Sequence, residues 1–246
     1  MPENLNNFYK NVYSQRGEDG IIEEICKRIG LQTGYCMEFG AGDGMSLSNT
    51  KNLINKGWSA FMVESSTPLY NICVKRYQDN PKVICLNAAV DCDNNSVDKL
   101  IDTYFMRPNI LSIDIDGNDY EVLYSINMFF PDLIIVECNP YRYPLDPNYY
   151  GYIHDLQESF HAFNIIAREM GYIPICYTQN IFYINEEHYH LFKDTPDTMD
   201  MFINGFVKSF HLETDPDEKY RILNRIKDQF GLDNEWLKEI IEEHCK

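Results

Sequence analysis

The stretch "YCMEFGAGDGMSLSNT" (Tyr35–Thr50) sets three glycines, Gly40, Gly42 and Gly44, directly behind a mostly apolar run. That order predicts a buried strand breaking into a turn whose main chain comes close to something else. Six further runs share the character of the first (35–40): residues 59–64, 82–87, 109–114, 132–137, 172–176 and 181–185. They are mostly continuous rather than alternating, as in strands covered on both faces. Between them lie apolar stripes at helical spacing. Ile21, Ile22, Ile25, Cys26 and Ile29 form one, and segments 68–78, 95–106, 119–129 and 155–170 form the others. In "SSTPLY", Ser66 or Thr67 is expected to cap a helix with Pro68 in its first turn. Strands alternating with helices predict an α/β fold, a doubly wound, mostly parallel seven-stranded sheet. Only "YTQN" separates the last two strands, which predicts an antiparallel hairpin at the sheet edge. Beyond Glu186 the pattern turns to charged helical segments at 217–229 and 234–244. The expected organisation is one domain over residues 1–186 and a helical C-terminal extension over 187–246.

Composition narrows the function. A chain of 246 residues that is 44% hydrophobic can bury a full core. No apolar run spans a membrane, and "MPENLNNFYKN" lacks the basic and apolar segments of a signal peptide, so a soluble, cytoplasmic protein is expected. The eight cysteines never form a CxxC pair, which indicates neither a zinc site nor a disulfide framework. A formal charge of -17, from 38 acidic and 21 basic residues without a basic cluster, argues against nucleic acid and anionic membranes as partners.

In doubly wound folds the turn after the first strand meets a nucleotide-like ligand. A dinucleotide fingerprint would want glycine at position 45, where Met45 stands. Glu38, just before the turn, would repel a diphosphate but suits a ligand carrying an amino group and a sulfonium. Glu64 ends the second strand, 20 residues after Gly44, where two carboxylate oxygens can accept both hydroxyls of a ribose. Together these features point to S-adenosylmethionine.

The chain resembles the class I S-adenosylmethionine-dependent methyltransferases, which have a Rossmann-like fold, and among them the FkbM-like family. The resemblance rests on "SQRGEDGIIEEI" from Ser14, then "EFGAGDG", "LSNTKNLINKGW", "SIDIDGNDY" and "IIVECNP", in that order across residues 12 to 186. It implies cofactor contacts at Glu38, Gly40, Gly42 and Glu64, with Asn87 and Ala88 beside the adenine. It also implies that Gln15 and Glu18 close over the cofactor from the N-terminal segment. The segment "YGYIHDLQESF" departs from the family pattern and leaves the acceptor unidentified.

Asp114 ends the fourth strand and "ECN", Glu137 to Asn139, ends the fifth. Hard oxygen ligands from Asp114, Glu137 and Asn139 would suit Mg²⁺ or Mn²⁺, orienting an acceptor hydroxyl and lowering its pKa. A second reading stands beside it. Asp116-Gly117 makes a turn, and Asn118 with Glu121 reads as a helix cap with its reciprocal acid. Without a metal, His154 in the loop after the fifth strand is the candidate general base, and the tyrosines of "NPYRYPLDPNYYGY" would form a lid. The resemblance implies a small-molecule acceptor, a carbohydrate hydroxyl or a nucleotide-linked precursor of a surface polysaccharide; in so acidic a chain a phosphorylated one would need a metal or a local basic patch, for which Arg142 with Lys51 or Lys56 are the nearby cations. Two other functions fit the same fold class: a catalytically silent cofactor-binding scaffold, and a nicotinamide-dependent oxidoreductase or epimerase. No Tyr-x-x-x-Lys pair supports the latter.

Overall fold

The computed structural model of the protein describes residues 4–138, 159–193 and 195–212. The predicted runs form strands β1 (Tyr35–Phe39), β2 (Ser59–Glu64), β3 (Val83–Asn87), β4 (Ile110–Ile113), β5 (Leu133–Glu137), β6 (Tyr172–Tyr177) and β7 (Asn180–Asn185). They assemble into one sheet in the order β3-β2-β1-β4-β5-β7-β6. Strands β1 to β5 pair in parallel. Strand β7 runs antiparallel between β5 and β6, so the predicted hairpin does close the sheet edge. This is the mostly parallel, doubly wound seven-stranded sheet expected from the sequence.

The continuous apolar runs have the expected cause, because successive strand residues enter two different cores. Met37, Phe39, Leu111, Ile113, Ile134 and Val136 face one side, packed with α4 (Val97–Tyr104), α5 (Asp119–Tyr124), α6 (Phe160–Glu169) and α7 (Thr198–Leu212). Cys36, Ala60, Met62, Ile110 and Ile135 face the other, under α1 (Glu18–Arg28), α2 (Lys51–Asn55) and α3 (Thr67–Tyr77). A one-residue slip in any central strand would exchange the two sets of side chains.

Several helices depart from expectation at their ends. The segment 119–129 stops being helical after Tyr124, because Asp98 of α4 accepts the main-chain N–H groups of Asn127 (2.9 Å) and Met128 (3.2 Å) and holds them out of a helix. Helix α4 ends at Tyr104, where Phe105 adopts a left-handed φ of 53°. Ser66 and Asn118 occupy N-cap positions but make no side-chain cap bond. For Asn118 the reason is its backbone, at φ -89° and ψ 28°, outside the extended region from which a cap side chain reaches back.

Within the expected extension, α7 lays Phe202 on Tyr177 of β6 (ring centroids 4.9 Å) and on Phe160 (5.6 Å), so its first turns belong to the sheet's own core. The expected helices at 217–229 and 234–244 lie outside the described residues.

Candidate functional site

The carboxyl ends of β1, β2, β3 and β4 frame a cavity of about 620 Å³ lined by Gly40, Gly42, Glu64, Ala88, Asp114 and Asp116, among others. The glycine turn builds one wall. Gly40 has φ 74°, its N–H and that of Ala41 both donate to the Val63 carbonyl (3.0 and 3.1 Å), and a Cβ there would run into the Asp114 carbonyl. This glycine lets β1 pass the end of β4, so protein, not ligand, occupies the space it leaves. Gly42 is different. At φ 56° its missing Cβ would face open space, and its N–H donates to Glu64 Oε2 at 2.7 Å. Here the main chain is open to a ligand.

Glu64, 7% exposed, is fixed from both sides, since Ser66 N–H donates to its Oε1 at 2.6 Å. Each carboxylate oxygen keeps a further lone pair for a ligand hydroxyl. Asn87 points away from the cavity. Its Nδ2 donates to the carbonyls of Glu64 (2.7 Å) and Ser65 (3.1 Å) and its Oδ1 accepts from Thr67 Oγ1 (2.9 Å), which shapes the loop holding Glu64. Ala88 reaches the wall itself.

Besides Asn87, three more of the expected cofactor contacts lie elsewhere. Glu38 is buried beneath the segment 48–50, accepting from Ser48 Oγ (2.6 Å), Thr50 Oγ1 (2.6 Å) and Asn49 N–H (2.7 Å). Burial raises its carboxyl pKa although these donors pull the other way. Glu18 is wholly buried under the β6–β7 turn, bonded by Thr178 Oγ1 (2.7 Å) and Asn180 Nδ2 (3.3 Å), and burial raises its pKa too. Gln15 is exposed, and its carbonyl accepts from Asn11 Nδ2 (3.0 Å). None of the three lines the cavity.

At the far rim, carboxylate oxygens of Asp114, Asp116 and Glu137 lie within 4.8 Å of one another. The expected pair of strand-end acids does meet, and Asp116 joins it through a left-handed residue at φ 55°. Asp116 read in sequence as half of a turn, and only its D-x-D spacing from Asp114 hinted at more. Burial, then the charge of Glu137, pushes the Asp114 carboxyl up to about 9. A cation between these groups would relieve the repulsion that helps raise Asp114. The loop is held by Asp119, whose Oδ1 accepts from Ile115 N–H (2.9 Å) and Oδ2 from Gly117 N–H (3.0 Å). Asp119, for which the sequence suggested no role, thus fixes the turn ahead of the helix, while Asn118 makes no side-chain cap bond. Asn139, His154, Arg142 and the tyrosines at 141–152 lie outside the described residues. Lys56 ion-pairs with Glu23 (2.6 Å), and Lys51 lies over the rings of Tyr77 (4.9 Å) and Tyr13 (5.7 Å). Neither lysine lines the cavity, whose charged lining residues among those described are the acids Glu64, Asp114 and Asp116.

Neither a protein-family model nor a curated protein matches the chain. Solved structures similar to it include an S-adenosylmethionine-dependent methyltransferase from Clostridium acetobutylicum, at 11% identity and TM-score 0.45 over 70% of this chain and 91% of that one. A TehB-like methyltransferase from Corynebacterium glutamicum shares 11% identity at TM-score 0.44, covering 74% and 92%. A precorrin-6y C5,15-methyltransferase from Geobacter metallireducens shares 14% at TM-score 0.41, covering 71% and 89%.

Proposed function

We propose that this chain is an S-adenosylmethionine-dependent methyltransferase of the FkbM-like kind, acting on a hydroxyl of a small polar acceptor. The observation that carries the reading is Glu64, pinned at the end of β2 by Gly42 and Ser66 with acceptor capacity left toward the cavity. In this reading Glu64 accepts the ribose hydroxyls, the open face of Gly42 admits the amino-acid end of the cofactor, and Ala88 lies along the adenine. The cofactor supplies an electrophilic methyl on a sulfonium, and the acidic wall suits its positive charge. Methyl transfer needs alignment more than covalent help, so positioning by these groups supplies much of the acceleration. The acceptor hydroxyl must lose its proton as its oxygen bonds the methyl, and Asp116, beside Asp114 on the cavity wall, offers a carboxylate to receive it.

The same rim supports a divalent ion, with Asp114, Asp116 and Glu137 as its oxygen ligands. Such an ion would lower the pKa of a bound hydroxyl. A cavity whose charged lining residues, among those described, are all acids, with Lys51 and Lys56 engaged elsewhere, favours an uncharged sugar hydroxyl over a phosphorylated acceptor. A nucleotide-linked sugar fits if its diphosphate lies outside the cavity or on the ion.

Calorimetry with S-adenosylhomocysteine tests the cofactor. Glu64→Ala should weaken binding by about 1.5–3 kcal/mol, as for hydrogen bonds to a charged group, in protein whose circular dichroism is unchanged. Unchanged affinity would overturn the assignment. Mn²⁺ titration followed by electron paramagnetic resonance tests the ion: Asp114→Asn and Glu137→Gln should each weaken Mn²⁺ binding while S-adenosylhomocysteine still binds. Equal Mn²⁺ affinity in all three proteins would remove the metal from the mechanism.

A further inference from the structure

We propose that Cys73 and Cys85 form a redox-modification site, a dithiol that closes reversibly to an intramolecular disulfide and loosens the glycine turn at the cavity. The two sulfurs lie 3.5 Å apart in hydrogen-bond contact, Cys73 on α3 and Cys85 on β3. A disulfide needs a separation of about 2.05 Å, so closure asks the sulfurs to move by little more than a bond length. The two residues differ in access. Cys73 is buried, whereas Cys85 sits on the edge strand and is partly exposed to a small reagent. Either thiol can donate across this contact; with Cys73 as the donor, Cys85 is held below the ordinary thiol range and Cys73 above it. Cys85, the accessible member of the pair, is the entering thiolate.

The consequence follows from what Cys73 holds. One face of α3 presents Cys73, Arg76 and Tyr77 to the turn after β1. Tyr77 Oη donates to the Gly44 carbonyl at 2.5 Å, and Arg76 donates to the Asp43 carbonyl and carboxylate, each at 3.0 Å. Cys73 Sγ packs so closely on Gly44 that a Cβ there would lie 2.7 Å from it. Drawing that sulfur toward Cys85 takes it off Gly44 and releases one of three supports of the turn that carries Gly42.

The chemistry closes with a low-molecular-weight disulfide, RSSR, as oxidant. The Cys85 thiolate attacks one sulfur of RSSR, breaking its S–S bond, forming Cys85–S–S–R and expelling RS⁻. Cys73, losing its proton to solvent, then attacks the Cys85 sulfur and expels the second RS⁻. Both leaving thiolates take up protons, so two thiols are oxidised and RSSR is reduced to two RSH.

Oxidised glutathione applied to the full-length protein, followed by peptide mapping, tests the site without reference to any cofactor. The expected product is a Cys73–Cys85 cross-linked peptide about 2 Da lighter than the two thiols, reversed by dithiothreitol. Cys73→Ser should instead leave a stable mixed disulfide on Cys85. Free thiols at both positions under conditions that modify exposed Cys92, or a mixed disulfide without the cross-link in the wild type, would overturn the proposal. Hydrogen exchange of the oxidised protein should be faster over residues 42–46, and unchanged exchange would overturn the link to the turn. On the methyltransferase reading, oxidation should also weaken S-adenosylhomocysteine binding at least about five-fold. If neither form binds S-adenosylhomocysteine while the cross-link and the faster exchange are found, the cofactor reading fails and the dithiol stands.

Discussion

Gly40 and Gly42 stand two residues apart, both with positive φ, yet a methyl group added at each meets different surroundings. At Gly40 it enters the Asp114 carbonyl, and at Gly42 it meets nothing within 4 Å. Gly40→Ala should therefore cost roughly 2–5 kcal/mol, left-handed strain plus a main-chain clash in a packed region. Gly42→Ala should cost only the strain, about 1–2 kcal/mol. Urea unfolding of the two variants checks the difference. Equal costs would mean that β1 does not cross the end of β4 as closely as the structure has it. The sequence marked both glycines, but it assigned them one purpose where the structure separates two.

Helix α1 begins without a side-chain cap, since Gly17 occupies the N-cap with φ 90°. Asp19, in its first turn, collects the preceding loop instead. Its Oδ2 accepts main-chain N–H groups of Val12 (2.8 Å), Tyr13 (2.7 Å) and Ser14 (2.8 Å), and Ser14 Oγ at 2.7 Å. The segment "SQRGED" is in this light a staple for the N-terminal loop, with Ser14 and Asp19 as its two ends. Asp19→Ala leaves three buried or half-buried N–H groups without that acceptor, and should cost about 3 kcal/mol or more. Trypsin should then cut after Lys10 or Arg16 before the rest of the domain yields. Cleavage no faster than in the wild type would show that the staple contributes little to holding the loop.

Across the whole molecule, Glu18 joins the N-terminal segment to the β6–β7 hairpin some 160 residues away. It lies among Arg16, Tyr9, Thr178 and Asn180, and burial raises its pKa in the folded state. A carboxyl that binds its proton more tightly when folded contributes stability below the unfolded value of about 4.3. That contribution is lost as pH rises from there through the raised folded value. The urea midpoint should thus fall as pH is raised from about 4.3 toward neutrality, and Glu18→Gln, which cannot ionise, should show a shallower fall. Parallel profiles would mean that Glu18 does not titrate in this window. Glu38 and Asp119, buried and shifted the same way, remain in both proteins and cancel in the comparison. The chain's charge of -17 adds a repulsive background of the same sign.

What the sequence determined alone is the material of the sheet. Strands covered on both faces need apolar residues at every position, and a run such as "LIIVE" carries that demand in its own letters. The seven strands, the edge hairpin and the placing of Glu64, Asp114 and Glu137 at strand ends were legible for this reason. Tertiary structure decided what each polar side chain meets. Asp98 ends α5 from another helix, Asp119 collects the N–H groups of the turn before it, and Asp116 swings in to join Asp114 and Glu137. Glu38 and Glu18 turn inward to bond the protein itself, where a motif placed them on a ligand. Periodicity is a local property, set by the repeat of the backbone. The partner of a carboxylate is set by crossovers that bring residues 10, 22 or 160 positions apart into hydrogen-bond distance, and no spacing in the chain records them.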